Sequence, residues 1–427
     1  MNVRLKRAKE LAGYAVQLTK EEGLPTMVRR GAGFVKRRCF GKRARYLPAN
    51  KVLEAQRAEM AGKTAADCGL PTISVLTPLY NTPEKYLREF LDSFVGQTAP
   101  NGQLCLADAS DAAHGDVERI VKEYQQKNQQ IVYKKIENKG IAANTNAAAQ
   151  LATGEYLALA DHDDILAPHA LYTMGKAILQ LRQRGEPDGF LYSDEALFTK
   201  SIRRPMVAHF KPDYAPDYLL CCNYICHLAV FQKALWEQLG GERPECDGSQ
   251  DHDLALRASE QARKITHIRR ILYHWRMLDT SESHQRVEKC ALAAARAVDD
   301  QLKRLHLSGH AESRDLQVHI TYDLHPEDTV TVIAVCDAKG TQRWLRRLAR
   351  VTPEHPVQVL LIGAEKECTF QGQLCERMAV KGGLSDTLNA AVQRARGTFV
   401  LFLHQGVLPM KAGWLSALQM YAQRSDV

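Results

Sequence analysis

The stretch YLALADHDD, residues 156–164, joins an apolar run to three aspartates and a histidine. Its first five residues, Tyr156–Ala160, are apolar, and the four that follow are titratable. A short apolar run bounded by polar residues predicts a buried strand. The side chains of residues 161–164 then lie just past the carboxyl end of that strand. In open α/β sheets this is the edge at which ligands bind.

The segments around this stretch alternate between strand and helix signals. Strands are predicted at 72–77, 103–107 and 131–133, and helices at 86–94, 116–127 and 168–184. This alternation predicts an α/β fold, a Rossmann-like and mostly parallel sheet with helices on both faces. Residues 78–81 and Asp108 also follow strands, so we expect them beside 161–164 on one ligand edge.

A second copy of this pattern begins near residue 328. Asn146–Gly154 matches Asn389–Gly397, and Thr329–Val335 echoes Thr72–Pro78. The acidic turn becomes His404 to Val407, which carries no carboxylate. Internal similarity of this kind indicates a repeated structural unit. We therefore predict a basic helical arm at 1–70, an α/β domain at 71–285, a helical and extended connector at 286–327, and a degenerate or truncated second domain at 328–427.

The composition is that of a soluble globular chain, with 45% hydrophobic residues and a formal net charge of +8. No run approaches the roughly 18 apolar residues of a membrane span, and no signal peptide is evident. The 11 cysteines lack regular spacing, which favours reduced thiols and a cytoplasmic location. A zinc site at Cys221, Cys222, Cys226 and His227 is disfavoured by the spacing of these residues.

The excess of basic residues lies in residues 1–70, which mix apolar residues with clusters such as Lys36–Arg38. A helix of this composition can lie on anionic lipid. It can equally be a solvated arm that packs on the rest of the chain. Nucleic-acid binding is disfavoured, because the arm has few aromatic side chains to stack on bases. The expected location is cytoplasmic, with a peripheral position on the inner membrane as the further possibility.

Asp161 and Asp163 stand two positions apart on a turn and can face one hard cation. Mg²⁺ and Mn²⁺ accept one or two protein carboxylates and complete their coordination with water and phosphate. Such an ion neutralises the charge that develops on a leaving diphosphate. The alternative is a polar turn that caps the following helix. His274 is a further candidate for a metal ligand or a diphosphate donor.

The segment 247–253 offers a candidate general base. Ser249 suits the N-cap of the apolar helix at 254–262, which places Asp251 in the first helical turn. The helix dipole favours an ionised carboxylate there, and such a carboxylate can take a proton from a sugar hydroxyl. Asp253 is the rival base, and both residues can equally be ordinary acidic groups at a helix start.

Two further segments carry candidate groups for binding the acceptor or the sugar. Asp194 and Glu195 come shortly after an apolar strand, Gly189–Leu191. Trp275 and Arg276 follow another short strand and offer an aromatic face for a sugar and a cation for an anion. Taken alone, this second pattern is as typical of core packing as of a site.

Together these segments resemble the family 2 glycosyltransferases of the GT-A fold, in particular the bacterial group for O-antigen, capsule and rhamnan synthesis. The resemblance covers residues 72–276, roughly half of the chain, together with the decayed second copy. It is carried by the joint order of ISVLTPLYNTP at 73–83, ADHDD at 160–164, YSDE at 192–195, NYICH at 223–227, GSQDHDLALR at 248–257 and YHWR at 273–276.

The resemblance implies roles for individual residues. The residues that would hold the nucleoside are Thr77, Pro78, Tyr80 and Asp108. Asp161 and Asp163 would form the DXD motif, with Asp163 the more direct metal ligand, and Lys139 would approach the diphosphate. Asp251 matches the acidic residue taken as base.

The chain also departs from the family pattern at two positions. Gln250 stands where many members have a glutamate, which leaves the role of base to Asp251 or to its rival Asp253. The run Ala107–Ser110 contains one aspartate where the family often has two. The second departure leaves the details of base recognition open.

The resemblance implies a metal-dependent, inverting glycosyltransferase that uses Mn²⁺ or Mg²⁺. It would move a sugar from a UDP-, dTDP- or GDP-sugar to a hydroxyl of a growing or lipid-linked glycan. Two alternatives stay open, a non-catalytic glycan-binding or scaffolding module and a DXD phosphatase, although a phosphatase does not explain Asp251. The sugar itself is not specified, because pocket shape depends on loops that a DXD motif does not encode.

Overall fold

The computed structural model describes residues 46–278, 287–337, 339–354, 356–380 and 382–425. Most of the predicted basic arm lies outside the described residues, and its remaining part contains helix α1, Asn50–Met60. The chain divides into two compact units. The first comprises the described parts of Met1–Ala215, Tyr224–Glu242 and Ala258–Gln285, and the second those of Pro216–Asn223, Arg243–Arg257 and Arg286–Val427.

Strands and helices alternate through most of residues 46–278, as the sequence predicts. The strands are β1 Ile73–Leu79, β2 Gly102–Asp108, β3 Ile131–Lys135, β4 Tyr156–Leu159, β5 Ile165–Leu166, β6 Phe190–Phe198, β7 Val207–His209, β8 Ala229–Gln232 and β9 Ile265–Arg276. The helices after α1 are α2 Glu84–Val95, α3 Asp116–Gln125, α4 Ile141–Ala149, α5 Ala170–Gln183, α6 Pro216–Cys221, α7 Lys233–Leu239 and α8 Gln250–Gln261.

The nine strands form one sheet in the order β3-β2-β1-β4-β8-β6-β9-β5, with β7 paired to β6. The first four of these are parallel, and β8 runs antiparallel to both of its neighbours. Every residue of β2 and β4 is buried, as expected of parallel strands covered on both faces. The predicted α/β fold with a mostly parallel sheet is confirmed.

Helix α2 shows how the main core forms. Its apolar residues recur at helical spacing, so that Leu87, Phe90, Leu91 and Phe94 share one buried face. They belong to the same cluster as Leu104 of β2. Burial of a side chain of this size contributes roughly 1.5–3 kcal/mol. This packing fixes the carboxyl ends of β1 and β2, where the predicted nucleoside-binding residues lie.

The second unit contains a smaller parallel sheet. Its described elements, besides α6 and residues 250–257 of α8, are α9 Val287–Arg304, β10 Gly309–Arg314, β11 Gln317–Tyr322, β12 Val330–Val335, α10 Thr341–Val351, β13 Gln358–Ile362, β14 Thr369–Phe370, β15 Gln373–Leu374, β16 Glu376–Met378, α11 Leu384–Val392, β17 Phe399–His404 and α12 Trp414–Ala422. The sheet has the order β16-β13-β12-β17, with all three pairs parallel.

This order matches β3-β2-β1-β4 of the first unit, and one hydrogen-bonded cluster recurs as well. Gly154 N donates to Ser74 Oγ at 2.9 Å, and that hydroxyl lies 2.6 Å from Gln103 Oε1. A Cβ on Gly154 would lie 2.7 Å from the same hydroxyl, which explains the glycine. In the second unit the three positions are held by Gly397, Thr331 and Gln358. These features support the predicted repeat, which stays a prediction.

The predicted domain boundaries stay predictions too, and the compact units differ from them in one respect. Pro216–Asn223 and Arg243–Arg257 fall within the predicted first domain but group with the second unit. Arg243–Arg257 contacts α9, since Ser249 Oγ donates to Cys290 O at 2.9 Å and Arg243 Nη2 to Asp300 Oδ2 at 2.9 Å. Pro216–Asn223 joins the second unit through Asp217, which pairs with Arg424 at 2.6 Å. Across the described ranges, no helix is both long and apolar enough to cross a bilayer.

Candidate functional site

The acidic turn at 161–164 follows β4 and presents Asp161 toward solvent. The Asp161 side chain is 50% exposed, and its Oδ2 lies 3.3 Å from Nε2 of His227. Partial burial opposes ionisation, but attraction to His227 outweighs it and lowers the pKa of Asp161. The His227 ring stacks on Tyr273 with 4.7 Å between ring centroids. Asp161 is thus an ionised carboxylate at the predicted ligand edge.

Asp164 holds this turn in place through buried hydrogen bonds. Its side chain is fully buried and accepts hydrogen bonds from the Tyr273 hydroxyl at 2.7 Å and the backbone N–H of Arg276 at 2.6 Å. The same hydroxyl accepts from the backbone N–H of Asp161 at 2.9 Å. Burial, with repulsion from Asp161 and Asp163, raises the pKa of Asp164 well above its ordinary value. The carboxyl group therefore holds the turn in place and does not face a ligand.

Arg276 also holds the turn in place. This corrects its predicted role in binding the acceptor or the sugar. Its Nε donates to the backbone oxygen of Asp163 at 2.6 Å, and its Nη2 donates to Glu89 at 2.6 Å. The guanidinium lies 4.6 Å from the ring centroids of both Tyr86 and Phe198. Only 3% of the side chain is exposed. Nε and Nη2 both bind within the protein, so Arg276 positions the backbone of Asp163.

The donor set at this turn fits a divalent cation. Burial and the charge of Asp161 raise the pKa of Asp163, while His162 opposes the shift. A cation relieves such mutual repulsion between carboxylates. The buried Nδ1 of His162 lacks a hydrogen-bond partner in the described part of the chain. Within those residues no group of three or more His, Cys, Asp and Glu forms a metal cage, and Mg²⁺ or Mn²⁺ does not require one.

His274, the other predicted metal ligand, pairs on β9 with Ile165, which directly follows the acidic turn. It neighbours Tyr273 on β9, so its side chain leaves the opposite face of the strand. Its ring is fully buried and packs edge-on to Phe198, 6.3 Å between centroids. Burial and the nearby His169 lower the pKa of His274 to about 4. Both ring nitrogens of His274 are buried without a hydrogen-bond partner among the described residues, so its role as a metal ligand stays a prediction.

The predicted nucleoside-binding residues divide into exposed and buried groups. Tyr80 is 49% exposed at the end of β1, whereas Thr77 is fully buried and its Oγ1 has no hydrogen-bond partner within the described ranges. Pro78 is partly exposed. Lys139 has 68% of its side chain exposed, with Nζ 3.4 Å from Glu137. Tyr80 and Lys139 are therefore the predicted donor contacts with most open surface.

Asp108 is fully buried, as Thr77 is, and its predicted part in holding the nucleoside stays a prediction. Its carboxylate accepts from the backbone N–H of Ser110 at 2.8 Å, the hydroxyl of Tyr133 at 2.8 Å and Lys135 Nζ at 2.9 Å. Burial opposes ionisation, but these partners lower the pKa of Asp108. Lys135 keeps 42% of its side chain exposed. Asp108 thus orients Lys135, a candidate that the sequence analysis missed.

Asp194 and Glu195 are also buried rather than open to an acceptor, which corrects that prediction. Asp194 accepts from the backbone N–H of Lys211 and lies 2.9 Å from His267 Nε2. Lys211 Nζ donates to Glu195 at 3.2 Å and to the backbone oxygen of His227 at 2.5 Å. The pair therefore supports the segment that carries His227. Trp275 is half-buried against the main core, and its contact with a sugar stays a prediction.

The two candidate bases, in the second unit, have opposite environments. Asp251 is partly exposed, and its carboxylate accepts from Asn223 Nδ2 at 2.8 Å and the backbone N–H of His252 at 2.9 Å. Asp253 is fully buried and forms ion pairs with Arg243 and Arg257. Burial opposes ionisation, but the two guanidiniums lower the pKa of Asp253 below its ordinary 3.8. The rival base is therefore corrected to a structural carboxylate.

The acidic turn and strands β2 to β8 lie within a segment that has known relatives. The family model described as Glycosyl transferase family 2 matches residues 74–239. The chain contains a family 2 glycosyltransferase domain. That segment includes Asp161, Asp163 and His227, whereas Asp251 and Tyr273 lie beyond it.

Curated relatives of this glycosyltransferase domain are longer proteins. The uncharacterized protein y4gI of Sinorhizobium fredii is 36% identical over 241 residues, which is 55% of this chain and 26% of the relative. The O-antigen biosynthesis protein RfbC of Myxococcus xanthus is 29% identical over 375 residues, 84% of this chain and 29% of the relative. The chain thus spans less than a third of the length of either protein.

Solved glycosyltransferase structures are similar at low identity. The S. aureus TarS fragment 1–349 with UDP-GlcNAc is 17% identical with a TM-score of 0.44, and the match covers 54% of this chain and 66% of that one. The mannosyltransferase PcManGT of Pyrobaculum calidifontis, in complex with GDP-Man and Mn²⁺, is 16% identical with a TM-score of 0.40, over 69% and 76% of the two chains.

Replacing Tyr273 by phenylalanine tests how the glycosyltransferase domain holds its acidic turn. The change removes the hydrogen bonds of the Tyr273 hydroxyl with Oδ2 of Asp164 and with the backbone N–H of Asp161, so we expect a loss of about 1–3 kcal/mol in the free energy of unfolding. We also expect sugar transfer to fall about tenfold, because the turn loses its orientation. Tyr156→Phe is the matched control, since its hydroxyl donates to Asp188 at 2.6 Å. An equal loss of transfer in both variants would contradict the anchoring role.

Proposed function

We propose that the chain transfers a sugar from a nucleotide-diphosphate donor to a hydroxyl group of a growing cell-surface glycan, with inversion at the anomeric carbon. The observation that carries the proposal is the turn at 161–164. Asp164, Tyr273 and Arg276 fix its backbone, while Asp161 stays half-exposed at the carboxyl end of β4. A rigid acidic turn at that edge, inside a family 2 glycosyltransferase domain, suits a nucleotide-sugar site.

Asp161 and Asp163 would hold Mn²⁺ or Mg²⁺. When bound, the ion neutralises the charge that develops on the leaving diphosphate. The chain's own contribution is to keep the two carboxylates in place, through the hydroxyl of Tyr273 at Asp161 and the guanidinium of Arg276 at Asp163. This division of roles explains why both anchors are buried while Asp161 stays open.

Asp251 is the proposed general base, on the basis of the family resemblance and its partial exposure. It would take the proton of the acceptor hydroxyl while that oxygen bonds to the anomeric carbon and the bond from that carbon to the diphosphate breaks. A single displacement of this kind inverts the anomeric configuration. Asn223 supports the role, because its amide donates to one carboxylate oxygen and orients the group.

The donor and acceptor classes rest on separate observations. Tyr80 offers an exposed ring for the base of the nucleotide, and Lys135 and Lys139 offer exposed ammonium groups. The name of RfbC supports an O-antigen-type acceptor, and a capsule-type glycan shares that chemistry. The basic residues before position 70 support a position on the inner membrane face, where lipid-linked acceptors lie.

A donor screen tests this proposal. UDP-, dTDP- and GDP-sugars are added to the purified chain with and without Mn²⁺, and both thermal unfolding and release of the nucleoside diphosphate are measured. A ligand at about a hundred times its Kd adds about 2.7 kcal/mol to native-state stability. We expect the sugars of one nucleotide class to raise the Tm and to be hydrolysed. Both effects should require Mn²⁺. No shift and no hydrolysis with any donor, together with tight glycan binding, would favour a binding module instead.

A further inference from the structure

Helix α10 in the second unit divides into an apolar face and an arginine face. Trp344, Leu345 and Leu348 are buried and join the core of that unit. The exposed residues are Arg343, Arg346, Arg347 and Arg350. Their spacing of three, four and seven positions places all four on one side of the helix. The row is about 10 Å long at the helical rise.

This arginine face lacks neutralising partners. The segment 339–353 contains no acidic residue, and Lys339, which is also exposed, extends the row by one cation. Within the described ranges, none of the four guanidiniums forms an ion pair or a hydrogen bond with a side chain. An arginine that serves only the fold normally meets a carboxylate or a carbonyl, as Arg276 does in the first unit. The face is therefore a concentrated, uncompensated positive surface.

The position of α10 in its sheet does not require this charge. Helix α2 follows β1 as α10 follows β12, yet α2 carries three acidic residues among its twelve. Its one arginine, Arg88, pairs with Glu84 at 2.8 Å and with Glu123 at 2.9 Å. The same place in two similar sheets thus holds a balanced helix in one unit and a purely cationic helix in the other. This contrast indicates a ligand for the arginine face.

We propose that the arginine face of α10 docks onto the surface of an anionic phospholipid bilayer. A guanidinium binds phosphate through two parallel hydrogen bonds, and a bilayer presents phosphates side by side for neighbouring arginines. Single-stranded nucleic acid fits less well, because Trp344 is buried and α10 offers no exposed aromatic ring for stacking. The apolar face is already packed in the protein core, so the helix lies on the membrane by electrostatic attraction without insertion.

Vesicle flotation with the whole chain tests the proposal without any sugar donor. Vesicles of phosphatidylcholine alone are compared with vesicles containing about one-third phosphatidylglycerol. The variant carries Arg343→Gln, Arg346→Gln, Arg347→Gln and Arg350→Gln. Each basic residue near an anionic surface contributes about fivefold to binding, so we expect the loss of four to lower partitioning about 600-fold. Binding of the wild type is expected to vanish in about 1 M salt, where screening is strong.

The control variant removes the same charge from exposed positions of the first unit, Lys127, Arg203, Arg204 and Arg263, each changed to glutamine. We expect it to bind anionic vesicles within a few-fold of the wild type. Both variants keep residues 1–70, so any contribution of the arm is common to them. Equal vesicle binding by the two variants would overturn the proposal. The proposal would also be overturned if the four-arginine variant bound vesicles like the wild type but no longer bound duplex DNA or an anionic polysaccharide. That result would assign the arginine face to another polyanion.

Discussion

Replacing Asp163 by alanine is expected to lower kcat/KM for sugar transfer at least about a thousandfold. The lost group is one of two carboxylates proposed to hold the cation, and stabilisation of transition-state charge by a metal is worth several kcal/mol. The fold should persist, because Arg276 binds the backbone oxygen of Asp163 and not its carboxylate. Initial rates at saturating Mn²⁺, with thermal unfolding of the same samples, measure both effects.

Asp164→Ala is the matched comparison within the same turn. Asp164 is fully buried and accepts hydrogen bonds from the Tyr273 hydroxyl and the backbone of Arg276, so its loss should reduce the free energy of unfolding by about 1–3 kcal/mol. Asp163→Ala should leave that free energy nearly unchanged. If Asp163→Ala transferred sugar at the wild-type rate, the proposed cation site at Asp161 and Asp163 would have no role in the reaction.

Asp251→Asn and Asp253→Asn are expected to fail in different ways. Asn at position 251 keeps the shape of the side chain but cannot accept a proton, so kcat should fall about 10²- to 10⁴-fold with little change in KM. Asn at position 253 leaves Arg243 and Arg257 without their shared carboxylate, and breaking a buried pair costs about 3–5 kcal/mol. Rates with a defined acceptor and urea unfolding curves separate the two outcomes.

The pH dependence of unfolding adds a check on Asp253. Its pKa is lower in the folded chain than its ordinary value of 3.8, so its stabilising effect is present above that value and is lost as the pH falls through the folded pKa. The wild type should lose this stability in acid, and Asp253→Asn should lack that component. A stable Asp253→Asn without transfer, beside an active Asp251→Asn, would reverse the assignment of the base.

The sequence predicted the elements that depend on local pattern. The apolar runs before Asp108 and Asp161 became β2 and β4, because a buried parallel strand needs little more than a short apolar segment. The partial exposure of Asp161 follows from the same pattern, since the carboxyl ends of parallel strands meet at one edge of the sheet.

The sequence could not predict which polar groups are already satisfied. Arg276 was predicted to bind an anion, but its partner Glu89 lies 187 positions earlier in the chain. Lys211 likewise reaches Glu195 only because β6 and β7 pair. Contacts between distant segments leave no local pattern. For Asp253 a signal was present, since Arg257 lies four positions later on the same helix and such pairs meet.

The most direct test of the central claim is the position of manganese in crystals grown with Mn²⁺ and a nucleoside diphosphate. Data collected at the manganese absorption edge locate the ion without reference to the protein density. We predict a single strong anomalous peak that contacts the carboxylate of Asp163 and an oxygen of the diphosphate. A bound nucleotide with no manganese at residues 161–163 would contradict the account.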